Sequence, residues 1–258
     1  MLSKRRFYKT DLLFYLFLMV QIALWAFYTR HVKPDFTIVP DVPSELAVKA
    51  KSLGDEQFYF RTLALQMQNA GDTFGRFTAL KRYDYKKLYH WFTLLDSLDR
   101  KSHFIPSLAG YYYSQTQNVP DVRYIVDYLS EHAMYDEYSR YHKWWWLSQA
   151  VYLANHKLKD KSWALKLAYE LAKTPRDDIP LWAKQMPAFI HEQLNEYEMA
   201  LAIMADIVNN QDNIAQGEIN FMHHFVTERL GEIKKENNAV QFLEENNTRK
   251  HYQKNDAN

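Results

Sequence analysis

Cysteine is missing altogether from these 258 residues, and glycine is scarce, with only 6. Without thiols there is no disulfide and no thiolate metal ligand. Six glycines and 8 prolines are too few turn-makers for an all-β chain of many short strands. A surplus of one charge is missing too, since the formal net charge is only +1. That figure conceals an uneven distribution. Residues 1–33 carry six cations against Asp11, a net +5, so the remainder is net −4. A mildly acidic main body lacks the electrostatic footprint of a nucleic-acid-binding domain, and nucleic acid is excluded as a partner. No G-x-S-x-G, P-loop or dinucleotide fingerprint occurs. His191-Glu192 is followed by Asn195 where a zincin helix needs its second histidine, and the pair His224 and Glu228 has no identifiable third ligand. The reading assigns no catalytic residue, no metal and no cofactor.

Aromatic residues are abundant: 16% of the chain, with 19 Tyr, 15 Phe and 7 Trp. Their densest stretch is "HKWWWLSQAVYLANH", residues 142–156. On a helix, successive side chains lie about 100° apart, so Trp144, Trp145 and Trp146 sweep about 200° of the cylinder. A surface helix buries a stripe of little more than ~100°. Either one tryptophan is left in water or this helix has neighbours on two sides, in which case the rings divide between two arcs. Trp144, Leu147 and Val151 form one buried arc, Trp146, Ala150 and Leu153 another, and Trp145 lies between them toward a groove.

Long apolar runs are confined to one place. "LLFYLFLMVQIALWAFY", residues 12–28, is interrupted only by Gln21. At ~1.5 Å per residue it spans about 25 Å, with Tyr15, Trp25 and Tyr28 suited to the interfaces of a ~30 Å hydrocarbon core. No A-x-A cleavage pattern follows, so the expectation is an uncleaved signal-anchor over residues 11–29. Four cations precede the run against two after it, which keeps residues 1–10 cytoplasmic and sends the rest across the membrane, into the periplasm of a Gram-negative cell. Pro34, Pro40 and Pro43 mark residues 30–43 as a stiff stalk.

From residue 44 to 245 the expectation is all-α. Helix-length segments with apolar positions three and four apart alternate with short polar breaks, and no convincing set of period-2 runs occurs. Shifting the chain by 36 positions sets Trp146 on Trp182, Gln149 on Gln185, Leu158 on Leu194, Ala164 on Ala200 and Leu165 on Leu201. Ala168 then meets Met204, and Leu171 meets Ile207. The segments "ALKLAYELA" (164–172) and "ALAIMADIV" (200–208) resemble the second helix of tetratricopeptide repeats, with packing residues four and seven positions after a small one. The W-x2-L-G-x2-Y signature is not in register, and Pro187 interrupts a first helix, which demands a kink. The resemblance implies an αα-hairpin solenoid of about four helix pairs between residues 55 and 210, closed by a capping helix on Ile219, Met222, Val226, Leu230 and Ile233. Residues 246–258 read as a disordered polar tail.

The resemblance also implies a groove that binds extended or helical segments of protein partners. By spacing, Trp145, Gln149, Tyr152, Gln185 and His191 are candidates to line it. The glycine-bearing stretch 69–85 breaks the helical rhythm and offers Asp72, Arg76, Lys81 and Arg82 as a clamp, or else is a structural loop stapled by Phe74 and Phe77. Periplasmic tetratricopeptide proteins with one anchor are similar in layout, which implies help in assembling or chaperoning envelope complexes. A second expectation is a glycan-binding or glycan-processing protein, with Tyr111, Tyr112, Tyr113 and tryptophans stacking on sugars.

Overall fold

The structure is a computed structural model and describes residues 9–31, 38–73, 75–134, 143–174, 179–210, 214–229 and 231. The basic N-terminal residues 1–8, Leu230, Ile233 and the tail 246–258 lie outside it, and so does the side chain of Arg76.

Helix α1 (Lys9–His31) carries its large apolar side chains from Leu12 to Tyr28 exposed. Its segment Asp11–Tyr28 has a mean hydropathy of 1.7 and is long and apolar enough to cross a membrane.

The remainder of the described chain is helical apart from one two-residue-strand hairpin. The helices are α2 (Glu45–Ser52), α3 (Glu56–Gln68), α4 (Tyr85–Leu98), α5 (Phe104–Ser107) and α6 (Val122–Ala133). They continue with α7 (Trp144–Tyr152), α8 (Lys161–Lys173), α9 (Leu181–Lys184), α10 (Met186–Gln193), α11 (Tyr197–Asn210) and α12 (Gln216–His224). Local chemistry starts them. The side chains of Ser44, Asp55, Asp84 and Asp160 accept from the backbone N–H three residues on, at the N-termini of α2, α3, α4 and α8. Three helices loosen into π-helical turns at their C-terminal ends: α5 through Leu108–Tyr112, α7 through Leu153–Leu158 and α12 through Phe225–Arg229.

Most helices of the body pack on a neighbour in the chain, as α3 does on α4, α6 on α7, α7 on α8 and α10 on α11, and the core follows the periodicity of the sequence. Leu88, Phe92 and Leu95 of α4, and Ile125, Val126 and Leu129 of α6, are fully buried. Helices α4 and α6 pack on each other, and two of their contacting pairs lie 36 residues apart. The ring of Phe92 lies 5.2 Å from that of Tyr128, and Asp96 lies 2.6 Å from His132. The positions that the 36-residue register equates on α8 and α11, Ala164 and Ala200, Ala168 and Met204, Leu171 and Ile207, are all buried, the first of each pair in the main core and the second in a smaller cluster. A second, smaller apolar cluster joins Ala188, Met204 and Ile207 to Met222 and Phe225.

Pro187 breaks the pattern where the sequence requires it. The helix divides at Gln185 into α9 and α10, with Pro187 in the first turn of the second piece, where its missing N–H costs least. The C-terminal helix is amphipathic as expected, with Met222 and Phe225 buried, although Ile219 is exposed.

Two expectations need correction. The stalk does not extend through residue 43. Val39 is buried, the Trp91 indole donates to the Pro40 carbonyl at 2.9 Å, and Lys87 pairs with Asp41 at 2.6 Å, so residues 38–42 belong to the folded body. The glycine stretch is not stapled by Phe77, which is exposed. It forms an antiparallel hairpin of β1 (Asp72–Thr73) and β2 (Arg76–Phe77), pinned from beneath by Tyr83, whose hydroxyl donates to the Ala70 carbonyl at 2.6 Å.

Candidate functional site

The three tryptophans sort themselves by their neighbours. Trp146 is buried, its indole N–H donating to His103 at 2.8 Å and its ring packed on Tyr111. Leu147, Ala150, Val151 and Leu153 fill both arcs of α7. Trp144, expected in a buried arc, is only half-buried, because its ring lies edge-on between Trp145 and Trp182 rather than inside the core. Trp145, between the arcs, is half-buried and stands on the open side.

Around Trp145 an aromatic strip crosses three consecutive units. Its indole N–H donates to the hydroxyl of Tyr111, in the π-helical turn after α5, at 2.7 Å. On its other side Trp182 of α9 meets it at 6.2 Å and Trp144 at 5.8 Å, both edge to face. Tyr111, Trp145 and Trp182 follow one another at 34 and 37 residues, close to the repeat length read from the sequence. With helices spaced about 8–10 Å apart, the strip runs for roughly 20 Å. Gln149 and Tyr152 extend it along α7 on the same helical face as Trp145, and the Tyr152 ring lies tilted against His156 at 4.7 Å. Tyr111, Tyr152 and Trp182 are exposed, so the strip combines apolar rings with hydroxyl and amide groups at the surface.

The structure therefore brings Trp145, Gln149 and Tyr152 together and leaves the other expected groove residues elsewhere. Gln185, which recurs opposite Gln149 in the sequence, is wholly buried beside the break before Pro187 and presents nothing to the surface. His191 is also buried. Its Nδ1–H donates to Glu196 at 2.5 Å, which leaves Nε2 to accept from the Tyr169 hydroxyl at 2.7 Å. This chain ties α8, α10 and the start of α11 together. Asp72 is exposed, and its carboxylate accepts from the Gly75 N–H at 2.8 Å, an internal bond of the hairpin turn.

Sequence reasoning placed Tyr111 only among sugar-stacking candidates and missed Trp182 as a surface residue. The 36-residue register holds Trp182 opposite Trp146, but α9 ends after four residues, so its tryptophan is not packed between two neighbours.

A second polar group went unrecognised. Asp96 accepts from His132 at 2.6 Å and from the Tyr128 hydroxyl at 3.0 Å, beside a cavity of about 130 Å³ lined also by Thr93, Ser97, Arg100 and Glu131. The separation of 36 between Asp96 and His132 was its only signal. Burial raises the Tyr128 hydroxyl well above its ordinary value and lowers the nearby Lys143 ammonium. Burial also holds the Asp127 carboxyl above the ordinary carboxylate range, against the pull of Arg123. Among the described residues, no three His, Asp or Glu side chains gather as a metal site needs. Against known proteins, the chain matches no family model, no curated protein and no solved structure.

Proposed function

We propose that this chain is a membrane-anchored helical-repeat scaffold, similar to tetratricopeptide proteins, whose Tyr111–Trp145–Trp182 strip receives a segment of a protein partner. The strip is the observation that carries the reading. Large rings with polar handles, spread over successive repeats, suit an extended or helical segment whose apolar side chains seat between them. Contacts between α4 and α6 at a separation of 36 residues, and the burial of the positions that the same register equates on α8 and α11, support the repeat architecture. The span of α1 and its basic flank support an anchor with the N-terminus cytoplasmic and the body periplasmic. Anchoring confines the search for membrane-bound partners to a surface and raises their effective concentration. Assistance in assembling or chaperoning envelope complexes fits that arrangement.

The exposed rings also suit stacking on sugars, which is the second reading. Crosslinked co-purification from native membranes separates the two. A stoichiometric protein recovered with the tagged full-length chain, and lost in Trp182→Ala and Tyr152→Ala, is the expected result. Recovery of the folded chain alone, together with retention on a glycan column, refutes the scaffold reading.

A further inference from the structure

Exposed apolar side chains are not spread evenly over the helical body. Leu46, Leu53, Phe58, Leu65 and Phe77 are each more than half exposed. From residue 78 onward, no leucine, isoleucine, valine, methionine or phenylalanine side chain among the described residues reaches that level. Leu53 is the extreme, 92% exposed, and its φ of +51° puts it in the left-handed region that a leucine seldom occupies. Phe77 is 76% exposed on the hairpin. Folding gains nothing from holding these groups in water, and a soluble face rarely concentrates them.

Covalent geometry ties the hairpin that carries Phe77 to the end of α1. Seven peptide steps separate His31, the end of α1, from Ile38, which packs on the core. At 3.3–3.6 Å per residue they span at most about 25 Å. Ile38 in turn lies against Gly71, at the foot of the hairpin that carries Phe77. Whatever bilayer holds α1 is within reach of this end of the body. The charge agrees: residues 44–82 carry six Lys or Arg against four Asp or Glu, a net +2 in a body that is otherwise acidic.

Resting on the anchor reading above, we infer that the anchor-proximal end of the body is a membrane-docking surface. Leu53 and Phe77 enter the boundary between headgroups and acyl chains, and Lys51, Arg61, Lys81 and Arg82 face anionic lipid. The occupant is the lipid surface in which α1 itself sits. Docking would fix the orientation of the repeats relative to the bilayer rather than leave them swinging on the tether.

The absence of cysteine makes the test direct, because one introduced thiol gives one label. Full-length Leu53→Cys, Phe77→Cys, Val208→Cys and Leu18→Cys chains carry the environment-sensitive dye NBD. They are reconstituted in vesicles of phosphatidylcholine and phosphatidylglycerol containing spin-labelled phosphatidylcholine. Labels at 53 and 77 are expected to be quenched by lipid roughly twofold or more beyond the label at 208. Quenching at 53 and 77 no stronger than at 208, with position 18 quenched, overturns the docking surface and leaves the anchor standing. A blue-shifted label at 53 or 77 that lipid quenchers do not touch means that protein covers this face, which overturns the lipid occupant. An unquenched position 18 removes the anchor, and the inference with it.

Discussion

Gly71 is the position where a single added methyl group does the most damage, and Gly75, four residues away, provides its control. Both have positive φ, +76° and +78°, so alanine at either site costs about 1 kcal/mol in backbone strain. Gly75 has open space around it. A Cβ on Gly71 would instead fall 1.9 Å from the Tyr83 hydroxyl oxygen and 2.7 Å from its ring carbon Cζ. Tyr83 is buried and cannot simply swing aside. Displacing it costs about 1–3 kcal/mol of packing, plus about 1 kcal/mol for its hydrogen bond to Ala70. Gly71→Ala is therefore expected to lose roughly 3–5 kcal/mol, against about 1 kcal/mol for Gly75→Ala. At about 2–4 °C per kcal/mol for a body of this size, Tm falls by about 10 °C in the first case and about 3 °C in the second. Thermal melts of the full-length chains in detergent, followed by far-ultraviolet circular dichroism, read both values. Tyr83→Phe added to Gly71→Ala should recover part of the loss, because it removes the nearest clashing atom. Equal drops for the two glycine variants would refute the argument that Tyr83 makes Gly71 obligatory.

Three further outcomes are expected. Asp160 caps α8, and the Trp163 N–H and the Ser162 hydroxyl hold its carboxyl below the ordinary value of 3.8. Asp160→Ala should cost about 1 kcal/mol in urea denaturation at neutral pH. The wild-type advantage should shrink as the pH falls through that lowered value, because the stabilising carboxylate is then protonated. Burial lowers the Lys143 ammonium from 10.5, so the folded state bears a cost wherever that lysine stays charged. Lys143→Met should raise Tm at pH 7, with the gain fading as the pH climbs toward 10.5; a lowered Tm at neutral pH would show that its contacts outweigh its desolvation. Ala168, wholly buried in α8, has no room for a larger side chain, and Ala168→Leu should cost about 1–3 kcal/mol by chemical denaturation.

What sequence alone could decide about this protein is whatever depends on local spacing. The apolar run of residues 12–28 is a helix with exposed apolar sides because no polar residue beyond Gln21 interrupts it. The described helices between Glu45 and His224 form where apolar positions recur at three and four, with capping residues before several of them. The fate of α7 followed from the 100° step between tryptophans, and Pro187 broke its helix because a ring replaces a needed N–H. Trp145, Gln149 and Tyr152 were legible as one face for the same reason: positions i, i+4 and i+7 share a side of any helix.

Tertiary structure decided everything that depends on how far one element lies from another. Gln149 and Gln185 look equivalent in a 36-residue register. The break at Gln185 turns one into the core, so the recurrence of an amide did not mark a shared surface. His191 looked available until Glu196 and Tyr169 closed on its two ring nitrogens. Asp96 and His132 gave no local hint, because their bond exists only where α4 packs against α6. Periodicity sets which face of a helix is apolar; only the packing of neighbours sets which apolar face remains uncovered. That is why the sequence alone could name the strip's central residues on α7, while Tyr111 and Trp182 joined it only once three helices stood side by side.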